Sequence, residues 1–94
     1  ATSPLAVVPV EPAQSLAALT LAESLRAAGY IVDLGFSGGM GKRMKRANKI
    51  GAQVAVIVGE AELARGVAAV RDMHTGAQEE VLVGDLTDYL ARYR

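Results

Sequence analysis

The chain alternates between two hydrophobic periods. Leu5-Ala6-Val7-Val8-Pro9-Val10 is a short apolar run, the pattern of a buried strand, with Pro9 near its end. Glu11-Pro12 suits the opening of a helix, where proline costs no hydrogen bond and an acid meets the positive terminus. Residues 13–28 are rich in Ala and Leu, both strong helix formers. Ala17, Ala18, Leu21, Ala22, Leu25 and Ala28 share one face, and Gly29 ends the helix. Leu16 and Leu19 fall on the other side with Glu23 and Arg26. The simpler expectation is a wide buried stripe; the alternative is contact with a neighbour outside the sequence.

Residues 30–34 read as a second strand and 53–58 as a third. The third is continuously apolar from Val54 to Val58, as a central strand buried on both faces should be. Residues 59–66 read as a helical turn or loop. Residues 67–73 and 78–83 then flank His74-Thr75-Gly76-Ala77 as a β-hairpin. A last helix is expected over 86–93, with Asp85 as cap, Asp88 as its capping-box partner, and Leu86, Tyr89, Leu90 and Tyr93 as the apolar stripe. The order β-α-β-α-β followed by a hairpin predicts a three-layer α/β domain with right-handed crossovers and helices on the sheet's faces.

Between the second and third strands lies the chain's one concentration of charge. Lys42, Arg43, Lys45, Arg46 and Lys49 are five of its ten cations, and no acid occurs between Asp33 and Glu60. The formal net charge is zero, so this segment is balanced by acids elsewhere. At about 100° per residue, Met40, Met44, Ala47 and Ile50 form one helical face. Lys42, Lys45, Arg46 and Lys49 form the opposite one, and Arg43 stands at the boundary. Ser37-Gly38-Gly39 suits a tight entry loop and Gly51 a helix stop. The loop's amide groups, the helix dipole and the lysine stripe all favour a nearby anion. A solvated amphipathic helix is the plainer reading. Five cations in eight residues without a compensating acid favour contact with a polyanion.

Composition narrows the classes. Ninety-four residues make a single domain, 1–94, with residues 1–4 as a flexible lead-in. Half the residues (51%) are hydrophobic but only four are aromatic, so the core is aliphatic. The absence of cysteine excludes a disulfide framework and a thiolate metal site and fits a reducing, cytoplasmic setting. No apolar run reaches the ~18 residues of a membrane span. The opening Ala1-Thr2-Ser3-Pro4 has neither an initiator Met nor a signal-peptide pattern, as expected of a processed chain or a piece of a longer protein.

Catalytic motifs are mostly refused. Gly38-Gly39-Met40-Gly41-Lys42 lacks the glycine a Walker loop needs at Phe36 and the Ser or Thr it needs at Arg43. A dinucleotide fingerprint would require glycine at Met44 or Arg46. His74, the only histidine, sits in the hairpin turn and reads as surface filler. Glu60 and Glu62 have no further metal ligands nearby. No nucleophile-base pair is formed by local spacing. A nucleic-acid module fits better. Phe36 could stack on an unpaired base or cap the core. Single-stranded RNA suits the pattern better than duplex DNA, since no helix-turn-helix is visible.

Lys42-Arg43-Met44-Lys45-Arg46-Ala47-Asn48-Lys49-Ile50-Gly51-Ala52, followed by Val54-Ala55-Val56-Ile57-Val58-Gly59-Glu60-Ala61-Glu62, resembles the C-terminal anticodon-binding domain of class II aminoacyl-tRNA synthetases. The hairpin Arg71-Asp72-Met73-His74-Thr75-Gly76-Ala77-Gln78 is most similar to the histidine-specific members. The first strand and Leu25-Arg26-Ala27-Ala28-Gly29 match as well, so the resemblance covers nearly the whole chain. It implies a mixed five-stranded sheet beside a catalytic domain not in this sequence.

The resemblance also implies binding of a tRNA anticodon stem-loop (GUG for histidine), with no cofactor in this domain. ATP, Mg and the ligation of amino acid to tRNA would belong to the catalytic domain of a homodimeric parent enzyme. It implies base contacts at Ser37, Glu62 and Arg71, and phosphate contacts at Lys42, Arg43, Lys45, Arg46 and Lys49. Glu can accept from base amino or imino groups and Arg can fork onto a guanine edge. The chain departs from the family pattern at Gly41, where Lys is usual, at Arg43, where Gln is common, and at Asn48, where Asp is common. The alternatives are the same domain from a proline, threonine or glycine enzyme, or from a synthetase-like paralogue, and a protein-interaction or dimer-support domain without RNA binding.

Overall fold

The computed structural model describes residues 4–34 and 40–93. Strands β1 (Leu5–Pro9), β2 (Val32–Leu34), β3 (Val54–Val58), β4 (Val67–Asp72) and β5 (Gln78–Leu82) form one sheet in the order β2-β1-β3-β4-β5. β1 is parallel to both β2 and β3, whereas β3–β4 and β4–β5 are antiparallel. The sheet is therefore mixed, with the buried β1 and β3 at its centre, as their unbroken apolar runs require.

Successive residues of each strand point to opposite faces. Leu5, Val7, Val54, Val56, Val58, Ala68 and Val70 meet Ala18, Leu21, Ala22 and Leu25 of helix α1 (Ser15–Ala27), together with Leu86 and Leu90. Ala6, Val8, Ala55, Ile57 and Ala69 meet Ala47 of helix α2 (Met40–Lys49), with Met44 and Ile50 packed alongside. The small residues on this second face let α2 approach closely. Gly51, at φ 74°, supplies the left-handed turn that ends it.

Three expectations are corrected. Leu16 is 74% exposed and Leu19 is exposed too, so α1 carries a narrow stripe rather than a wide one. Leu16 stands about 200° from Ala18 around the helix, too far to share its packing. The second strand begins at Val32, because the Tyr30 amide still donates to the Leu25 carbonyl and closes the preceding helix. The C-terminal helix is broken into a 3-10 turn (Val83–Asp85), helix α4 (Leu86–Tyr89) and a second 3-10 turn (Leu90–Tyr93). Asp85 makes no capping bond there. Its φ −101°, ψ −3° is already turn-like, and a side-chain cap needs extended backbone to reach the next turn's amides. Leu86, Leu90, Tyr89 and Tyr93 nonetheless pack inward as the stripe predicts.

Candidate nucleic-acid interface

Helix α2 runs across the β1–β3 face and divides its cations by direction. Lys42, Lys45 and Lys49 are exposed, and none has an ion-pair partner among the described residues. The first and last are seven positions apart, or about 10 Å along the axis at 1.5 Å per residue. With Ala47 on the sheet, these lysines form a solvent-facing cationic ridge.

The other two cations are engaged. Arg46 forks onto Asp33 of the edge strand β2: its Nε donates to Oδ2 at 3.0 Å and its Nη2 to Oδ1 at 2.9 Å. These hydrogen bonds, and then the Coulomb attraction, raise the guanidinium's pKa above its ordinary value. Arg43 is only 7% exposed, and its Nη1 donates to the Pro9 carbonyl at 2.8 Å. It lies inside the α2–sheet contact and does not belong to the ridge. The reason is phase: Arg43 precedes Ala47 by four residues and Ile50 by seven, the spacing of the buried face.

Beyond α2, the same sheet face continues over β4 and β5. Arg71 follows Ala69 by two residues and pairs with Ala55 and Gln78, so it stands on this face. It is exposed and has no hydrogen-bond or ion-pair partner among the described residues. The tight turn after β4 is held by Asp72, whose Oδ1 accepts from the amides of His74 (2.8 Å) and Thr75 (3.0 Å). Those two bonds, the one from Thr75 foremost, lower the Asp72 pKa. His74 is an exposed member of the turn.

Glu62 lies elsewhere. It stands on helix α3 (Glu60–Ala64), where a loop was the other possibility, with Glu60 beside it on the outside. Its half-buried side chain folds back over Gly59, immediately past the carboxyl end of β3. Because Ala55 pairs with Arg71, Gly59 is four residues further along, about 13 Å away at 3.3 Å per residue. Glu62 and Arg71 thus occupy opposite ends of the sheet. Ser37 and Phe36 lie outside the described residues. No group of three metal-ligating side chains occurs among the described residues. No helix there is long and apolar enough to cross a membrane.

Sequence reasoning missed two residues. Asp33, as the partner that occupies Arg46, had no local signal, because thirteen positions separate them. The sequence places Gly59 only as the first residue of a helical turn or loop, although its three-residue spacing from Glu62 is visible there.

A mixed sheet of this order, with a cationic helix on one face, defines a class. The family profile described as an anticodon binding domain matches residues 5–93, and the chain belongs to that family. Its relatives specify it further. The histidine–tRNA ligase of Rhodospirillum rubrum is 47% identical over 93 residues, covering 99% of this chain and 22% of that protein. The histidine–tRNA ligase of Pyrococcus furiosus is 39% identical over 88 residues, 89% of this chain and 20% of its own length. The crystal structure of a Nostoc histidyl-tRNA synthetase superposes with a TM-score of 0.87 at 30% identity, over 97% of this chain and 22% of that one. The RNA binding domain of a Cryptosporidium parvum threonyl-tRNA synthetase shares the fold, with a TM-score of 0.86 at 16% identity over 96% of this chain and 23% of that one. The chain spans about a fifth of the length of the curated relatives it matches.

Proposed function

We propose that this chain is the part of a cytoplasmic, homodimeric histidine–tRNA ligase that grips the anticodon stem-loop. The observation that carries this reading is the ridge of Lys42, Lys45 and Lys49, exposed and without ion-pair partners among the described residues, beside the open face that holds Arg71. Phosphates would lie along the ridge, which fixes register without reading sequence. Arg71 and Glu62 would each meet a base edge, one as donor and the other as acceptor. Ser37 and Phe36, which precede α2 in the sequence, are the proposed polar and stacking contacts. Arg46 joins only by releasing Asp33, and Arg43 holds the helix rather than the RNA. Ligation of histidine with ATP and Mg would take place in the catalytic domain of the whole enzyme.

An NMR titration tests the reading, using a stem-loop with the GUG triplet and another with that triplet scrambled. Shifts at Lys42, Lys45, Lys49, Glu62 and Arg71, stronger for GUG, are expected. Equal, salt-sensitive shifts with both RNAs would reduce the site to a generic phosphate grip.

A second surface supports contact with the rest of the parent chain. Leu16 edges an apolar groove of about 610 Å³ whose walls include Ala17, Leu21, Val58, Leu63 and Val83. It lies on the sheet face opposite the lysine ridge, so the catalytic domain could cover it while RNA holds the other side. A chain without RNA affinity at low salt would leave this groove as the better account of its role.

A further inference from the structure

In an open sheet with parallel strands, ligands bind outside the carboxyl ends of strands whose connections diverge. Here that place lies between β1 and β3. β1 leads through α1 to β2 on one side, and β3 leads through α3 to β4 on the other. Glu62 projects into it. Were Gly59 to carry a Cβ, that atom would lie 2.6 Å from Glu62 Oε2, closer than such atoms can stand, and a tight 3.2 Å from its Cδ. The remaining neighbour, Cγ2 of Val10 at 3.4 Å, is an ordinary contact. The Glu62 carboxylate therefore occupies the volume of the absent side chain. It has no hydrogen-bond or ion-pair partner among the described residues.

From this we infer that Gly59 is the positioning residue for Glu62: the missing side chain at 59 lets the carboxylate lie against the strand end, where it can accept from the N–H edge of a nucleobase. The inference rests on the reading of Glu62 as a base contact. Its backbone does not require glycine. At φ −111°, ψ 161°, residue 59 is extended, a conformation open to any residue. Alanine would fit there and move only the far end of one flexible side chain. The consequence is a residue whose replacement changes selectivity and leaves the fold alone.

The test measures the affinity of the GUG and scrambled stem-loops for four variants, with thermal melts alongside. Gly59→Ala should melt as the parent chain does and lose roughly tenfold of its discrimination, the worth of one good base contact. Glu62→Gln should lose a similar amount, and the double variant no more than Glu62→Gln alone. Gly84→Ala, where an added Cβ meets nothing within 4 Å, should change neither quantity. If Glu62→Gln loses discrimination and Gly59→Ala keeps it, the positioning role of Gly59 is overturned and the base-reading role of Glu62 stands. If neither loses it, the role of Glu62 falls and takes this inference with it. Equal weakening for every RNA with a lowered melt would make Gly59 a structural residue and overturn the inference.

Discussion

Arg43 donates from Nη1 to the carbonyl of Pro9 at 2.8 Å, tying the first turn of α2 to the carboxyl end of β1. The bond is buried, and one partner is charged. Hydrogen bonds of that kind are worth about 1.5–3 kcal/mol. Arg43→Met keeps most of the apolar stem but removes the charged donor to this buried carbonyl. We expect a loss of about 2 kcal/mol in urea unfolding. The lysines of the ridge, mutated singly to alanine, should stay within about 0.5 kcal/mol of the parent. A neutral Arg43→Met would show that the tether does not hold the helix.

The ridge makes the complementary prediction for RNA. Lys45→Ala and Lys49→Ala should weaken GUG and scrambled stem-loops alike, because phosphate contacts carry no sequence information. Each should reduce the steepness of log K against log salt by about 0.7, the single-strand value per phosphate. An unchanged slope in both variants would take the ridge out of the interface.

In the proposed interface Asp33 would compete with RNA for Arg46. The pair is exposed on the Arg46 side, and such bridges contribute little to stability. Asp33→Asn removes the charge that holds Arg46 and frees one more cation. Affinity for any stem-loop should rise, and the salt slope should steepen by about 0.7. Stability should change little. A variant that binds no better would mean that Arg46 does not reach the phosphates.

The central strands were legible because burial on both faces leaves an unbroken apolar run, and Val54 to Val58 has no other reading. Helix α2 was legible from its two-faced period. Arg43 stands at the boundary of the two faces in the sequence, and what draws it to the buried side is a carbonyl that only the folded β1 supplies. Leu16 was misread in the opposite sense, since hydrophobicity implied burial and one-sided packing through Ala18 and Ala22 left it outside. The Asp33–Arg46 pair and the separation of Glu62 from Arg71 depend on strand order and register. No local pattern encodes either.

Gly59, over which Glu62 folds, stands about 13 Å from Arg71 along the strands, and Glu62 and Arg71 share no partner among the described residues. Sites so separated act independently. Glu62→Ala and Arg71→Ala should each reduce discrimination among anticodons, and the double variant should lose the product of the two factors. They should also fail at different positions of the triplet, which competition among stem-loops with single-base changes would reveal. Identical profiles for the two variants would mean that they serve one base or none.

The hairpin carries a pH dependence of defined sign. The amides of Thr75 and His74 bind the ionised form of Asp72 and lower its pKa in the fold. A depressed carboxyl stabilises the fold fully above its unfolded value of about 4, and that contribution disappears as pH falls through the lower folded value. Asp72→Ala should therefore destabilise the chain at neutral pH and make its melting temperature fall less steeply with acid. Asp72→Asn keeps an oxygen that can accept both amides, so it should retain the turn while losing the acid dependence. Melting curves from neutral pH to below 3, with amide exchange at Thr75 as the local probe, separate the two effects. A parent chain whose acid limb matches that of Asp72→Ala would show that these two bonds leave the carboxyl's titration unlinked to folding.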